Sequence, residues 1–327
     1  MPIPGRLYSG GINVTYRCNA ACKHCITASS PRRENRYVDP ETIRIALRKI
    51  KSLGCFSLHI GGGEPFLDFN ALCGLLKTMR EENVAIDYIE TNAFWALGKP
   101  ADAEKLRSLT ALGADTIMFS LCPYHAEHVP LQRVANAIKA ANEAGMSYFV
   151  FQGRFAEKIA ALGDMDKVHS LSEYESAYPG AVARLPGEFG VRLIGRAAIY
   201  HSDINSQSVE RLLQSDKPCD VLQKIGNFHI DLYGCLTPGG CGGFAIPVEN
   251  LDNLDIGSFP AAKALLHYGV SGIYEIAKGF GFEPNDKYPG LCALCQHIRA
   301  YLAISKPDAW PDLRPLDFYE ELYEYAR

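Results

Sequence analysis

Three cysteines stand close together near the start of this 327-residue chain. Cys18, Cys22 and Cys25 follow a short apolar run, with three and then two residues between them. Three thiolates on one loop can bind three corners of a four-iron cluster and leave the fourth iron without a protein ligand. Such an open iron can bind and activate a small molecule, whereas a cluster with four thiolate ligands only carries electrons. The alternative is a zinc loop, but structural zinc needs a fourth protein ligand, and His24 is awkwardly placed to supply it.

The elements that must position this loop alternate along the chain up to about residue 200. Short strand-like runs are separated by helical patterns in which apolar residues recur at spacings of three and four. The predicted strands are Ile12–Tyr16, Phe56–Ile60, Val84–Glu90, Thr116–Leu121, Tyr148–Gln152 and Val191–Ile194. Strands that alternate with helices are expected to run parallel, with right-handed crossovers. Because six such units are too few for a closed eight-fold barrel, we predict an open or partial one.

The second predicted strand ends in a glycine-rich turn, Gly61-Gly62-Gly63-Glu64-Pro65. Glycines at the carboxyl end of a parallel strand let the backbone approach a ligand closely, and such folds place their chemistry at that edge. A glycine triplet by itself is equally typical of an ordinary tight turn. Here it comes one strand–helix unit after the cysteine loop, so both are expected at the same end of the sheet.

The composition excludes several classes of protein. With 47% hydrophobic and 21% charged residues the chain is globular rather than disordered or fibrous. A net charge of −4 gives no bulk basic surface for nucleic acid. No apolar run reaches the roughly 18 residues of a membrane span, and the start of the chain lacks the layout of an export signal. Eleven cysteines in tight groups are typical of metal binding in a reducing compartment. We therefore expect a cytoplasmic protein with no nucleic-acid or membrane partner.

The cysteine loop after strand one and the Gly-Gly-Glu-Pro turn after strand two together resemble the radical S-adenosylmethionine superfamily, whose paired signatures they are. The resemblance covers residues 10–200 and implies an α/β fold with a partial (β/α)6 barrel. It implies a [4Fe–4S] cluster on the three cysteines, with S-adenosylmethionine chelating the open iron. Reduction by a flavodoxin- or ferredoxin-type electron donor would cleave the cofactor to methionine and a 5′-deoxyadenosyl radical, which abstracts a substrate hydrogen.

The resemblance also implies which residues contact S-adenosylmethionine. They are His24, Gly62, Gly63, Glu64, Asn92, Ser120 and Arg154. His24 takes the position that packs near the adenine, the Gly-Gly-Glu residues contact the amino group, and Ser120 contacts the ribose. Asn92 belongs to a Thr-Asn-Gly pattern in which Ala93 replaces the glycine here. Arg154 would pair with the cofactor carboxylate, although a solvated loop arginine explains it equally well.

Beyond residue 200 the alternation stops, which divides the chain into a barrel over 1–200 and a small, loop-rich module over 201–327. This module resembles the C-terminal auxiliary-cluster extension (SPASM/twitch-like) of radical enzymes that modify peptides. Its cysteines are Cys219, Cys235, Cys241, Cys292 and Cys295. Because related hairpins place the ligand after the turn and its proline, the implied ligands of a second [4Fe–4S] cluster are Cys219, Cys241, Cys292 and Cys295. Exchange of Cys235 for Cys241 stays open, as does a zinc site on the same thiols.

Four cysteines remain once these ligands are assigned. Cys55 and Cys73 are expected to be small packing residues. Cys122 follows strand four at the edge where barrel enzymes gather catalytic groups, although it could equally be a capped strand end. Cys235 occupies the hairpin turn. A thiol can return a hydrogen atom to carbon, and if removal and return occur on opposite faces of an α-carbon, the residue is epimerised.

The segment Asn92-Ala93-Phe94-Trp95, the pair Tyr124-His125 and the single auxiliary cluster resemble radical peptide epimerases that act on ribosomal peptides. We therefore expect a peptide substrate and Cα epimerisation, with Cys235 or Cys122 as hydrogen donor. The segment before Cys18 is expected to be too short for the N-terminal leader-binding domain of many relatives. Two alternatives stay open. One is oxidation or cross-linking of a peptide, with the auxiliary cluster accepting an electron; the other is a non-catalytic zinc or iron–sulfur scaffold.

Overall fold

A computed structural model describes residues 7–326 of the protein, and the side chains of residues 7–323. Its centre is an eight-stranded sheet, and a second sheet has two short strands. The strands are β1 (Ser9–Asn13), β2 (Ser57–Gly61), β3 (Ala85–Thr91), β4 (Thr116–Ser120), β5 (Ser147–Phe151), β6 (Gln207–Ser208), β7 (Asn227–Ile230), β8 (Cys235–Pro238), β9 (Ile246–Pro247) and β10 (Lys287–Tyr288).

The strands of the main sheet follow the order β5-β4-β3-β2-β1-β7-β8-β9. Strands β1 to β5 and β7 run parallel, and β8 and β9 are antiparallel additions at one edge. The prediction of an α/β fold with a parallel, partly closed sheet is confirmed. The first strand begins earlier than predicted and contains two glycines. A Cβ on Gly10 would lie 2.5 Å from the Phe228 ring, so glycine lets β7 pack against β1.

The predicted sixth strand at Val191–Ile194 is wrong. This segment connects two helices, and its amide groups bond locally instead of joining a ladder. The Val191 N–H donates to the carbonyl of Pro186, and the Ile194 N–H donates to that of Arg192, both at 2.8 Å. Left-handed Gly190 and positive-φ Gly195 bound the segment (φ 73° and 59°). The outer edge of β5 is therefore not paired with another strand in the described part of the chain.

Helices connect the parallel strands and continue through the C-terminal part of the chain. They are α1 (Pro40–Ser52), α2 (Phe69–Glu81), α3 (Pro100–Thr110), α4 (Pro123–Ala126), α5 (Leu131–Ala144), α6 (Ala156–Ala160), α7 (Leu171–Ala177), α8 (Ala181–Phe189), α9 (Arg196–Tyr200), α10 (Val209–Gln214), α11 (Asp220–Gln223), α12 (Pro260–Gly279), α13 (Leu291–Ser305) and α14 (Leu316–Ala326). Helix α1 starts as its sequence predicts, because Asp39 accepts the amides of Glu41 and Thr42. Among the described residues, no helix is long and apolar enough to cross a membrane.

The sheet continues across the predicted boundary at residue 200. Strand β7 pairs in parallel with β1, with Ser9 opposite Asn227 and Ile12 opposite Ile230. The hairpin β7–β8 thus joins the C-terminal third of the chain directly to the strand that precedes the cysteine loop. The division into two domains stays a prediction, while the hydrogen-bonded sheet is shared by both parts.

Candidate active site

The three-cysteine loop lies at the carboxyl end of β1, where the thiols of Cys18, Cys22 and Cys25 line one cavity of about 460 Å³. This volume falls within the roughly 300–1,000 Å³ that ligand pockets occupy. Backbone amides already point at two of the sulfurs. The Ala20 N–H donates to Cys18 Sγ and the Ser29 N–H donates to Cys25 Sγ, both at 3.4 Å. Such donors stabilise thiolates and the sulfurs of bound clusters.

Two glycines let the turn after β2 lie against this loop. The Gly63 N–H donates to the carbonyl of Thr15 at 2.7 Å, and a Cβ on Gly63 would lie 1.9 Å from the carbonyl oxygen of Arg17. Gly62 has a φ of +120°, and a Cβ there would lie 2.7 Å from the Thr15 carbonyl oxygen. Larger residues cannot occupy either position without displacing the cysteine loop. Both glycines also line the cavity, as the sequence predicts.

Glu64 connects the ends of β2 and β3. Its carboxylate accepts the Thr91 hydroxyl and the Asn92 backbone N–H, both at 2.8 Å, and the Phe66 N–H at 3.1 Å. Burial raises the pKa of this carboxyl to about 7, although the three donors oppose the shift. The Asn92 side chain in turn donates to Asn19 Oδ1 at 2.9 Å. Glu64 therefore fixes the position of Asn92 over the cysteine loop.

Of the other predicted cofactor residues, two line the cavity and one does not. His24 and Ser120 line the same cavity as the three thiols, and His24 stacks on Tyr124 with ring centroids 4.6 Å apart. Arg154 does not line it. Its side chain is exposed and lies over the Phe155 ring at 5.3 Å, in the one-turn helix Gly153–Phe155. The structure therefore brings six of the seven predicted cofactor residues together.

Arg196 is a cavity residue that the sequence prediction did not include. Its side chain is 0% exposed, and it donates to the carbonyls of Cys22 and Ser29 at 2.9 and 2.5 Å. Burial acts to raise the pKa of the Cys25 thiol, but the Arg196 guanidinium and hydrogen bonds around the sulfur outweigh it and lower that pKa. A buried cation beside three thiols compensates the negative charge of a thiolate-bound cluster. In the sequence, Gly195-Arg196-Ala197 resembles a segment of the radical S-adenosylmethionine superfamily, but the resemblance gave the arginine no role.

Cys122 is fully buried behind the cavity wall. Its Sγ lies 3.0 Å from His125 Nδ1, and only His125 of the two lines the cavity. Burial raises the pKa of the Cys122 thiol to about 12, so the sulfur stays protonated. His24 lies close to both, with the three possible ligand atoms within 4.8 Å of one another.

The structure also brings together four cysteines of the C-terminal part. Cys219 precedes α11, Cys241 lies after the β8 turn, and Cys292 and Cys295 occupy the first turn of α13. The charges of Cys219, Cys241 and Cys292 each help to raise the pKa of the Cys295 thiol, after burial, which raises it most, to about 12. These are the four thiols that the sequence assigns to a second cluster, and that ligand set stays a prediction.

A second buried arginine accompanies this group. Arg299, one turn after Cys295 on α13, donates to the Gly242 carbonyl at 2.8 Å and to Cys241 Sγ at 3.4 Å. Its Nε is buried and has no hydrogen-bond partner in the described part of the chain. An orphaned N–H beside four thiols fits a cluster whose sulfurs accept hydrogen bonds. The sequence prediction did not include Arg299 either.

Cys235 lies apart from both thiol groups. It begins β8, where its backbone N–H donates to Asp231 Oδ1 at 2.9 Å. Its thiol faces a different, smaller pocket, together with Ala245 and Arg314. Burial and the Asp231 and Glu249 charges raise its pKa far above the usual value, and no other cysteine contributes. The structure therefore does not bring Cys235 to the cavity, nor to the four-thiol group.

The site combines three thiols with no fourth cysteine among its described lining residues, close backbone approach at Gly62 and Gly63, and a buried cation. This donor set fits a [4Fe–4S] cluster with one open iron better than structural zinc, which requires a fourth protein ligand. The remaining space is lined by both polar and apolar residues, and the polar ones, among them Glu64, Asn92 and Ser120, suit a ligand with amino, carboxylate and hydroxyl groups. Such an arrangement can hold a small polar cofactor at the open metal corner.

Comparisons with known proteins agree with this geometry. Residues 12–154 match the family model of the Radical SAM superfamily. YydG of Bacillus subtilis, a protein named for peptide biosynthesis, is 31% identical over 132 residues, which are 39% of this chain and 40% of that protein. The mycofactocin maturase MftC of Mycolicibacterium smegmatis is 24% identical over 314 residues, 88% of this chain and 75% of that protein.

A solved structure described as "Native anSMEcpe with bound AdoMet" aligns over 98% of this chain and 96% of its own, with 13% identity and a TM-score of 0.45. A probable GTP 3',8-cyclase of Methanocaldococcus jannaschii is 26% identical over 140 residues, and this chain spans less than half the length of YydG and of that cyclase.

Proposed function

We propose that this chain, whose residues 12–154 match the Radical SAM family model, is an enzyme that abstracts a hydrogen atom from a peptide and epimerises the residue attacked. The observation that carries the proposal is the convergence of Cys18, Cys22 and Cys25 on a cavity that Gly62 and Gly63 also line. Three thiols would hold the cluster, and the glycine turn leaves room for S-adenosylmethionine beside it.

When bound, the cluster and S-adenosylmethionine together supply hydrogen-atom abstraction after a one-electron reduction. This chain's own residues orient the bound groups and neutralise their charge. Arg196 offsets negative charge at the thiols, Glu64 holds Asn92 toward the loop, and His24, stacked on Tyr124, offers a flat surface for an adenine. A flavodoxin- or ferredoxin-type protein is the proposed electron donor, and the reducing cytoplasm is the compartment in which such clusters persist.

A peptide substrate is supported by the open side of the cavity. The unpaired edge of β5 borders it, and the side chains of Phe149 and Phe151 line the cavity while 41% and 42% of their surface stays exposed. Exposed aromatic side chains next to a free strand edge are typical of peptide-binding surfaces. The names of two relatives, a peptide biosynthesis protein and a maturase, point to the same substrate class.

Epimerisation requires a hydrogen donor that is not a cluster ligand. Cys122 supports this role because its thiol is held protonated by burial and contacts His125, which lines the cavity. Donation of the hydrogen atom would leave a thiyl radical at Cys122, and a proton through His125 with one electron from the proposed second cluster would restore the thiol. Cys235, the other thiol expected to donate, faces a separate pocket. We therefore favour Cys122 as the donor. The four-thiol group with Arg299 is the proposed site of a second [4Fe–4S] cluster that exchanges electrons with the first.

The test is co-expression with peptides encoded beside the gene, followed by anaerobic turnover in deuterated water and mass spectrometry. Epimerisation through an exchangeable thiol places deuterium at the α-carbon and yields a D-residue, whereas oxidation or cross-linking changes the mass of the peptide without that exchange. Cys122→Ala should still form 5′-deoxyadenosine but no D-residue. Cys73→Ala, which changes a thiol on α2 outside both groups, is the matched control.

Two outcomes would contradict the proposal. Unchanged epimerisation in Cys122→Ala would remove the thiol from the reaction, and Cys235→Ala would then identify the remaining candidate. Reconstituted protein whose electron spin resonance signal does not change when S-adenosylmethionine is added would favour a zinc or iron–sulfur scaffold instead.

A further inference from the structure

Two histidines meet inside the barrel across a glycine. His59 on β2 and His229 on β7 both stand opposite Gly11 of the strand between them. Their Nε2 atoms are 2.9 Å apart, and a Cβ on Gly11 would lie 2.2 Å from His59 Nε2. The Nδ1 of His229 is buried and has no partner in the described part of the chain. Strand β1 thus lacks a side chain at the one position where the two rings need space.

A carboxylate also lies beside this pair, and it too lies over a glycine of the neighbouring strand. Glu90 on β3 lies over Gly61, where a Cβ would be 2.7 Å from Glu90 Oε2. The nearest titratable nitrogen is His59 Nε2, 3.7 Å from Glu90 Oε1. Among the described residues, Glu90 accepts no hydrogen bond and forms no ion pair with lysine or arginine. The Glu90 side chain is 35% exposed and lines the cavity, so its carboxylate is accessible to a ligand there.

Glu90 and His229 line the same cavity as the cysteine thiols. The opposite wall, on β4 and β5, is apolar and consists of Met118, Phe149 and Phe151. Barrel interiors are usually filled with branched apolar side chains. Here β1 and β2 have glycine at positions where a side chain would otherwise fill the space, and neighbouring positions carry the carboxyl group of Glu90 and the imidazoles of His59 and His229. This side of the cavity is therefore suited to contact a polar group.

The charges of the residues near Glu90 indicate which kind of polar group would bind there. Both histidines are held neutral, because burial lowers the pKa of His59 and lowers that of His229 to about 3. Burial first, and then the Glu64 charge, raise the pKa of Glu90 to about 7. A neutral imidazole pair and an acid without a cation offer acceptors for a donor of positive charge. The guanidinium of Arg196 is occupied by carbonyl groups on the cysteine loop.

We propose that Glu90, supported by His59 and His229, binds an ammonium or guanidinium group of the peptide substrate next to the residue that is attacked. The inference rests on the proposed function and adds the substrate class, a peptide with a lysine or an arginine near the reacting position. The carboxylate forms the charge-assisted hydrogen bond, and the apolar wall contacts the methylene groups of the same side chain.

The test is affinity selection under anaerobic conditions with the reconstituted protein and S-adenosylmethionine, without reductant. The probes are N-acetylated, C-amidated hexapeptides in matched sets, with lysine against norleucine and arginine against citrulline. Wild-type protein is expected to retain the cationic member about ten-fold better, the effect of one charge-assisted hydrogen bond. Glu90→Gln should lose this preference, and Glu90→Asp should keep part of it. Glu104→Gln, an exposed carboxylate on α3, is the control.

Three results would overturn the inference. They are equal retention of both members by the wild-type protein, an unchanged preference in Glu90→Gln, and stoichiometric binding of Zn²⁺ that is lost in Glu90→Gln without any discrimination between peptides. Iron and sulfide content and the melting temperature show that each variant is folded. Because the selection needs no radical chemistry, failure of the proposed function would appear separately, as absence of 5′-deoxyadenosine on reduction.

Discussion

Gly63 touches the carbonyl oxygen of Arg17, the residue before the first cysteine of the loop, so closely that a Cβ at Gly63 would lie 1.9 Å from it. Gly63→Ala must therefore displace either the loop or the turn after β2. We expect a stability loss of about 1–3 kcal/mol, as for other overpacked sites, together with reduced iron in the N-terminal cluster. Thermal unfolding and iron assays of the reconstituted protein measure both effects.

Gly74→Ala is the matched control for this substitution. Gly74 lies in the interior of α2, and a Cβ there meets nothing within 4 Å. Alanine should stabilise the helix by roughly 0.5–1 kcal/mol. Similar melting temperatures and iron contents for the two alanine variants would disprove the role assigned to Gly63.

Replacement of Arg196 by methionine removes the buried cation beside the cysteine loop. The carbonyls of Cys22 and Ser29 would lose their donors, and Glu321 would lose one of its two arginines. We expect a loss of about 3 kcal/mol in unfolding free energy and a lower iron content. Arg211→Met changes an exposed arginine on α10 and should alter neither. Full iron loading of Arg196→Met would show that the thiols need no compensating cation.

Ala93 adopts a left-handed conformation with a φ of 64° directly after Asn92. Because a Cβ in this region costs roughly 1–2 kcal/mol, Ala93→Gly should raise the unfolding free energy by up to about 1 kcal/mol once the greater chain entropy of glycine is subtracted. Ala96→Gly, at a buried neighbouring position, should be destabilising. Chemical denaturation of the two variants measures the difference, and equal destabilisation by both would contradict the strain at Ala93.

The two hairpin cysteines should differ in their effect on iron. Cys241 belongs to the four-thiol group and accepts a hydrogen bond from Arg299, whereas Cys235 faces another pocket. Cys241→Ala is therefore expected to lose the iron and sulfide of one cluster, and Cys235→Ala to keep both. Iron and sulfide analysis after anaerobic reconstitution decides this. The opposite result would exchange the two ligands.

The stability of the protein should depend on pH through Glu90. Burial raises the pKa of Glu90 from 4.5 to about 7, so the folded state keeps a proton that the unfolded chain loses between these values. Unfolding free energy therefore falls as pH rises through this range. The glutamine in Glu90→Gln does not titrate, and the neighbouring titratable groups of Glu64, His59 and Tyr88 are the same in both proteins. Between pH 5 and 8 the melting temperature should fall less in Glu90→Gln, by about 2 °C or more. Identical curves would contradict the shift.

Short-range patterns allowed much of the site to be predicted. Cys18, Cys22 and Cys25 are neighbours in sequence, and the turn at Gly62 and Gly63 follows the next strand. Because parallel strands end at one edge of a sheet, the alternation of strands and helices sufficed to place loop and turn together. Six of the seven predicted cofactor residues line the cavity for the same reason.

Long-range pairings were not predictable in this way. His59 and His229 are separated by 170 positions, and they meet only because β7 joins the free side of β1. The apolar run at Val191–Ile194 satisfies strand propensity, but its amides bond within the loop, so β5 stays at the edge. The segment Gly195-Arg196-Ala197 resembles the family in sequence, but the role of Arg196, like that of Arg299, becomes recognisable only once the surrounding carbonyls and thiols have been assembled in space.

Helix α14 supplies carboxylates to the cysteine loop at the far end of the sequence. Asp317 pairs with Arg33, and Glu321 pairs with both Arg32 and Arg196. A nascent chain that has released only its first five strands has not yet synthesised these carboxylates, and β1 has one bare edge. Insertion of iron into the N-terminal loop is therefore expected to follow the emergence of α14 from the ribosome.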